Sequence, residues 1–329
     1  MGNLFLYDRS CDKIYTCEEM GMMNMQKQKR VAAIQDICCA GKCSLTIALP
    51  VLSSAGISCS ILPTAVMSTH TGGFSDVYGR DLTEDILPII HHWKKEGLSF
   101  DALYSGYLCS PEQIETVITA VELLGTNTSS PLLMVDPAMG DGGSLYRLCT
   151  PDMVVKMAKL CAAADIVVPN VTEAAFLLGM DFRPPPHSET YIGSLLAGLA
   201  GLCKGDIVLT GVSFTEAELG CACLERDRMA IHYLMEKRET GSYHGTGDLF
   251  ASALLGGVIQ GQSLISAIRL AMQFVCASIR RTRLDVEKER DGLSFEPYLP
   301  YYAKAICDGK NPGAVASKEA QTFFPNGLF

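Results

Sequence analysis

Tyr243-His244-Gly245-Thr246-Gly247-Asp248 runs directly into the apolar stretch Leu249 to Leu255. Two glycines let a backbone come close to a ligand, and the free N–H groups of a helix start attract anions. An aspartate at that point has two readings. It can cap the helix, as Asp often does, or it can take a proton from a hydroxyl held beside a bound phosphate. The second reading makes the segment an anion cradle and a base together, the parts that phosphoryl transfer to an alcohol requires.

A second group of polar residues recurs where apolar runs end. The runs finish at Gln35-Asp36, at Ser68-Thr69-His70-Thr71-Gly72-Gly73, at Tyr104-Ser105-Gly106-Tyr107, at Asp136-Pro137-Ala138-Met139-Gly140-Asp141, at Pro169-Asn170-Val171-Thr172-Glu173 and at Thr210-Gly211. In open α/β sheets ligands bind beyond the carboxyl ends of the strands, so these ends read as one site. Asp136, Asp141 and Glu173 are hard oxygen ligands of the kind that suits Mg2+ with phosphate oxygens. Asp141 can equally start a glycine-rich turn, and Glu173 can cap a helix. His70 reads as a substrate donor or a core histidine, Tyr107 as a ring-stacking or a packing residue, and Cys38 and Cys39 as reactive or inert thiols.

The elements that must position these residues follow from periodicity. Strand-like runs are expected at Val31–Gln35, Ile57–Val66, Ala102–Ser105, Leu132–Val135, Ile166–Val168 and Ile207–Leu209. Helices are expected at Cys43–Ala55, Asp85–Lys95, Pro111–Leu124, Pro151–Ala164, Val171–Leu178 and Ser188–Leu202. Their alternation predicts an α/β fold with a mostly parallel sheet and helices on both faces. After Gly211 come two antiparallel strands, Cys221–Leu224 and Ala230–Met235, then long helices at Asp248–Gln260 and Leu264–Arg281. Residues 1–29, with Met22, Met23 and Met25, read as an extension, 30–307 as the folded unit and 308–329 as a tail.

Composition limits the function classes. The chain has 329 residues, 48% hydrophobic and 19% charged, with a net charge of −9. No basic stripe argues for nucleic acid. An acidic chain that binds a triphosphate needs local donors and a metal. No apolar run approaches the ~18 residues of a membrane span. The N-terminus lacks a signal-peptide pattern, so the 14 cysteines read as small apolar fillers in a reducing cytoplasm, and without paired C-x2-C sets no zinc site is expected.

The motifs in this order carry a resemblance. Val31-Ala32-Ala33-Ile34-Gln35-Asp36, Gly41 to Thr46, Pro63 to Phe74, Val135 to Asp141, Ala164 to Ala174 and Gly245-Thr246-Gly247-Asp248 resemble the pyridoxal/pyridoxamine kinases of the ribokinase-like superfamily, over about residues 30–300. Ser68-Thr69-His70-Thr71-Gly72-Gly73-Phe74 narrows the likeness to the vitamin B6 branch, closest to the bacterial pyridoxamine kinases. The resemblance implies a three-layer α/β/α fold and ATP-dependent phosphorylation of the 5′-hydroxymethyl group of a B6 vitamer. It implies Asp248 as base, with the amides of Gly245, Thr246 and Gly247 holding the transferring phosphoryl group. Asp136, Asp141 and Glu173 would organise Mg2+, largely through water. Asn170, Thr210 and Tyr146 would lie along ATP, and Asp36, His70, Thr71 and Tyr107 would line the pyridine pocket. Relatives can also use a monovalent cation such as K+, but Val168 replaces a threonine that helps bind it. A cytoplasmic homodimer is implied by analogy.

Two rivals share the scaffold, a hydroxymethylpyrimidine kinase of thiamine synthesis and a non-catalytic vitamer-binding protein. A dinucleotide-dependent oxidoreductase is excluded, since no G-x-G-x-x-G follows the first strand.

Overall fold

Runs such as Val31-Ala32-Ala33-Ile34 and Ile207-Val208-Leu209 are apolar at every position, which only a strand buried on both faces tolerates. The computed structural model describes residues 27–125, 130–241, 243–284 and 290–309, with the backbone of two short strands before them. The strands are β1 (Leu6–Asp8), β2 (Lys13–Tyr15), β3 (Arg30–Ala40), β4 (Ser58–Thr69), β5 (Gly79–Asp81), β6 (Ala102–Ser105), β7 (Leu132–Val135), β8 (Gly140–Asp141), β9 (Ser144–Leu145), β10 (Ile166–Val167), β11 (Asp206–Val212), β12 (Glu218–Glu225) and β13 (Ala230–Lys237). The helices are α1 (Leu45–Ser54), α2 (Thr83–Lys95), α3 (Pro111–Leu123), α4 (Pro151–Ala163), α5 (Val171–Leu178), α6 (Glu189–Leu202), α7 (Thr246–Ile259), α8 (Leu264–Thr282) and α9 (Leu299–Gly309). Met22, Met23 and Met25 lie outside the described residues.

The main sheet has the order β13-β12-β11-β10-β7-β6-β3-β4-β5. Its centre, β11 through β4, is parallel, and its edges are closed by the antiparallel strands β5, β12 and β13. Alternate strand residues feed two separate cores, as the two-residue period of a strand requires. Val31, Ala33, Tyr104 and Met134 join α1, α7, α8 and α9 on one face, through residues such as Ile47, Leu254, Phe274 and Tyr302. Ala32, Ile34, Leu103 and Val135 join α2 to α6 on the other. The three-layer α/β/α expectation holds.

Several boundaries differ from the sequence reading, each for a physical reason. The first strand does not end at Gln35-Asp36. Its register shifts between Gln35 and Ile37, and pairing then resumes with Ile37 opposite Val66 and Ala40 opposite Thr69. Asp36 therefore sits at a bulge inside β3. The extended pair β3–β4 has its own small core of Cys38, Ala65 and Met67, which lets it project past the sheet body. α1 begins at Leu45 rather than Cys43 because Ser44 takes φ +51°, a conformation that no helix continues. α9 was not anticipated. It buries Tyr302, Ala305 and Ile306 on one stripe, and the Tyr302 hydroxyl donates to the Ala253 carbonyl at 2.8 Å. It also crosses the expected boundary at residue 307, ending at Gly309.

Candidate active site

Beyond the carboxyl ends of the parallel strands, the N-terminus of α7 packs on the loop that follows β3, and its Asp248 lies in the field of Asp136 just past β7. Gly245 stands before α7 at φ 83°. A Cβ there would lie 2.6 Å from the Lys42 carbonyl oxygen, so the turn packs tightly on the loop leading to α1. No side chain caps α7, and the amides of its first turn have no intrahelical acceptor. Asp248 is thus not the cap, which settles the first of its two readings. It lies within the first turn, half-buried. Burial raises its pKa to about 6, hydrogen bonding from the Ser44 backbone amide opposes that rise, and the charge of Asp36 adds to it.

The acidic rim is built by β7, the β8–β9 hairpin and α5. Asp136 is buried, and its pKa lies well above the usual carboxylate range because of burial and then the charge of Asp248. Glu173 is raised too, by burial and then by Asp136. The amide turn and the rim therefore lie within electrostatic reach of one another. Tyr146 stands partly exposed beside the rim, its phenol raised by desolvation and then by the charges of Glu173, Asp141, Asp136 and Asp248.

Glu173 fastens this rim. Its Oε1 accepts from the Met139 amide at 3.1 Å, and its Oε2 accepts from the Asn170 amide at 2.8 Å. Asn170 Oδ1 in turn accepts from the Glu173 amide at 2.9 Å, completing a capping box on α5. Asn170 Nδ2 donates to the Gly140 carbonyl at 2.8 Å. Asn170→Ala removes both contacts, and loss of such a cap costs about 0.5–2 kcal/mol. A shift of the urea midpoint to lower concentration at unchanged slope is the expected reading.

Asp141 is exposed and serves the turn, its Oδ1 accepting from the Gly142 amide at 2.8 Å. Gly142 and Gly143 both have positive φ, as a two-residue hairpin turn of this hand requires. Thr210 pairs beside Asn170 across β11, its amide donating to the Pro169 carbonyl at 2.8 Å.

The residues expected at the pyridine pocket are only partly gathered. Asp36 is buried and its pKa is raised by burial, against hydrogen bonds from Ser44 and Cys38. Tyr107 is half-buried, its phenol raised by burial with a small contribution from Asp36. His70 is buried between Phe74 and His244. Its Nε2 donates to the Arg290 carbonyl at 2.8 Å, so only Nδ1, buried without a partner among the described residues, remains to meet a ligand. Thr71 is exposed.

Several residues of the site carried no role in the sequence reading. Ser44 supplies the amide facing Asp248. Gln35, Tyr104, Ser105 and Ser252 bury polar side-chain atoms without a well-formed partner. The Tyr104 hydroxyl lies toward Ser252 and Gln35, and it feels the charges of Asp136 and Asp248. Polar types at the ends of buried strands were the available signal for Gln35, Tyr104 and Ser105.

The donor set fits an oxygen-liganded cation. Buried carboxylates raise one another's pKa, and none of the described ion pairs, such as Lys42–Glu296 and Arg280–Glu239, includes Asp136, Glu173 or Asp248. Asp136 suits direct contact with Mg2+. Both Glu173 oxygens already accept amides, which favours contact through water. A separate cavity of about 380 Å³, lined by Asp181, Arg183, Tyr191 and Ser194 among others, contains none of these residues.

Known proteins share this fold. Residues 49–293 match the family described as phosphomethylpyrimidine kinase. A crystal structure of a Bacteroides thetaiotaomicron protein, provisionally named a phosphomethylpyrimidine kinase, is 33% identical, covers 84% of this chain and 94% of its own, and superposes with a TM-score of 0.79. A second crystal form of that protein contains pyridoxal. The pyridoxal kinase of Lactobacillus plantarum is 29% identical over 87% of this chain and 99% of its own, with a TM-score of 0.77. A pyridoxal kinase of Rubrobacter xylanophilus is 26% identical over 77% of this chain and 87% of its own. The fold is therefore the ribokinase-like one of these kinases, and the chain belongs to the phosphomethylpyrimidine kinase family.

Proposed function

We propose that this chain is an ATP-dependent kinase that phosphorylates the 5′-hydroxymethyl group of a vitamin B6 vitamer, pyridoxal, pyridoxamine or pyridoxine. One observation carries the reading: Asp248 stands in the first turn of α7, behind Gly245-Thr246-Gly247, within electrostatic reach of the buried Asp136. The relatives named pyridoxal kinases supply the acceptor class.

In this reading Asp248 takes the hydroxymethyl proton as the oxygen attacks the γ-phosphorus. The bond to the bridging oxygen breaks, and ADP leaves with that electron pair. The amides of Gly245, Thr246 and Gly247 hold the charge that develops on the transferring group. Asp136, Glu173 and Asp141 would hold Mg2+, which would supply neutralisation of phosphate charge. Tyr146 and Thr210 border the nucleotide. Asn170 has spent its side chain on the cap and on Gly140, so we assign it a positioning part. Asp36, Tyr107 and His70 Nδ1 face the vitamer ring.

The family description keeps hydroxymethylpyrimidine as the second acceptor. Steady-state rates with ATP and Mg2+ on the three vitamers and on hydroxymethylpyrimidine decide between them. We expect kcat/KM to be highest for a vitamer and the activity to vanish with excess chelator. A higher value for hydroxymethylpyrimidine overturns the acceptor assignment, and no ATP consumption with any of the four leaves a binding protein. Val168 offers no side-chain oxygen, so rates in K+ and Na+ should be similar.

No helix among the described residues is long and apolar enough to cross a membrane. We propose a cytoplasmic homodimer. Ile231 and Tyr233, exposed on one face of the edge strand β13, would support such an interface. Light scattering coupled to size exclusion should return twice the chain mass, and Ile231→Glu should lower it.

A further inference from the structure

β3 continues past its bulge and the chain then folds back, so that Ile37 and Ser44 form an antiparallel bridge. That return sets Cys38 opposite Cys43. Their sulfurs are 3.1 Å apart, and Cys38 Sγ is 3.5 Å from Asp36 Oδ2. One ligand atom from each of Asp36, Cys38 and Cys43 lies within 4.8 Å of the other two. A tetrahedral zinc with the usual bond lengths, about 2.3 Å to sulfur and 2.1 Å to oxygen, separates its ligands by roughly 3.8 Å (S···S) and 3.6 Å (S···O). The carboxylate–thiol distance already matches, and the two sulfurs need to part by only about 0.7 Å on that geometry.

The surroundings favour a cation. Cys43 lies in the negative field of Asp248 as well as Asp36. The nearest lysine in sequence, Lys42, has its ammonium on Glu296 at 2.8 Å. Asp36 and Cys38 are buried, while Cys43 is only partly so, which leaves a side from which an ion and a fourth ligand can enter.

We propose that Asp36, Cys38 and Cys43 form a site for one thiophilic divalent cation of the zinc class, distinct from the oxygen-lined rim around Asp136. Binding exchanges the two thiol protons, released to solvent, for two metal–sulfur bonds and one metal–carboxylate bond, with a water in the fourth position. Cys43 directly precedes Ser44, whose amide faces Asp248, so an occupied site immobilises the segment beside the base. Asp36 is shared with the proposed vitamer pocket, so this consequence and any effect on vitamer binding rest on the proposed kinase reading; the metal binding itself does not.

The test is a Co2+ titration of the reduced, metal-free full chain, followed by absorbance. One equivalent should produce the thiolate-to-cobalt charge-transfer band, and added Zn2+ should abolish it. Cys38→Ser and Cys43→Ser should each lose the band, and Cys39→Ser, altering the exposed neighbour, should keep it. A missing band in the folded chain, or an unchanged one in Cys38→Ser and Cys43→Ser, overturns the proposal. If those variants fail to fold, alkylation of the native chain read by peptide mass spectrometry replaces them. Zn2+ should protect the partly exposed Cys43 while the exposed Cys39 still reacts, and equal labelling of Cys43 with and without Zn2+ overturns the site. Either result is independent of whether any vitamer is phosphorylated.

Discussion

Asp248→Asn should lower kcat for vitamer phosphorylation by about 10²–10⁴-fold, the range for loss of a positioned general base, while ATP binding changes little. The carboxylate takes hydrogen bonding from the Ser44 backbone, and the near-isosteric amide of asparagine cannot accept the hydroxyl proton. Equilibrium binding of a labelled nucleotide beside single-turnover rates separates the two effects. Near-native turnover in the variant would falsify the assignment of the base.

The pH dependence follows from the same carboxylate. Its pKa is about 6, and only the deprotonated form accepts a proton. kcat/KM should therefore be flat above that value and fall about tenfold per unit below it. Stability moves the other way. A carboxylate whose folded pKa is raised binds its proton more tightly in the native state, so its stabilising contribution is present below the ordinary value of 3.8 and is lost as pH rises through about 6. Asp248→Asn should consequently melt higher than the native chain at pH 7, with the difference shrinking toward pH 4. A variant that is inactive yet more stable identifies a residue kept for chemistry at the expense of the fold.

Gly245→Ala should damage both properties. Its φ of 83° is one that L side chains rarely adopt, and the added methyl would meet the Lys42 carbonyl at 2.6 Å and Ile47 Cδ1 at 2.7 Å. The isoleucine can rotate, but the carbonyl belongs to a loop held by the Lys42 amide donating to Asp291 O at 2.8 Å. Overpacking of this kind costs about 1–3 kcal/mol. Displacing one donor of an anion-binding turn typically costs about 10²–10³ in kcat. Gly247→Ala is the contrast. A Cβ there meets nothing within 4 Å, so the fold should keep its melting temperature while any phosphoryl group entering that open space is hindered. Equal melting losses in the two variants would contradict the packing described for Gly245.

The parallel sheet was legible because both its faces are buried, which removes polar positions from strands such as Leu132–Val135 and Ile207–Leu209. The anion turn was legible because glycine, threonine and aspartate directly precede an unbroken apolar run. The continuation of β3 past Asp36 was not, since Cys38 to Lys42 show no two-residue alternation and their pairing is supplied by β4. Ser44 escaped notice for a related reason: its contribution is a backbone amide and a positive φ, neither of which a side-chain type announces. Glu173 and Asp141 turned out to satisfy the local readings, cap and turn, while still bordering the site. Cys38, open to a reactive or an inert reading, and Cys43, an apolar filler by type, acquire significance as a pair only from the fold-back that sets them face to face.

Glu173 grips the Met139 amide with one oxygen and the Asn170 amide with the other. The loop after Asp136 is thus tied to the start of α5. A change at 173 would release both amides and misalign two loops at once.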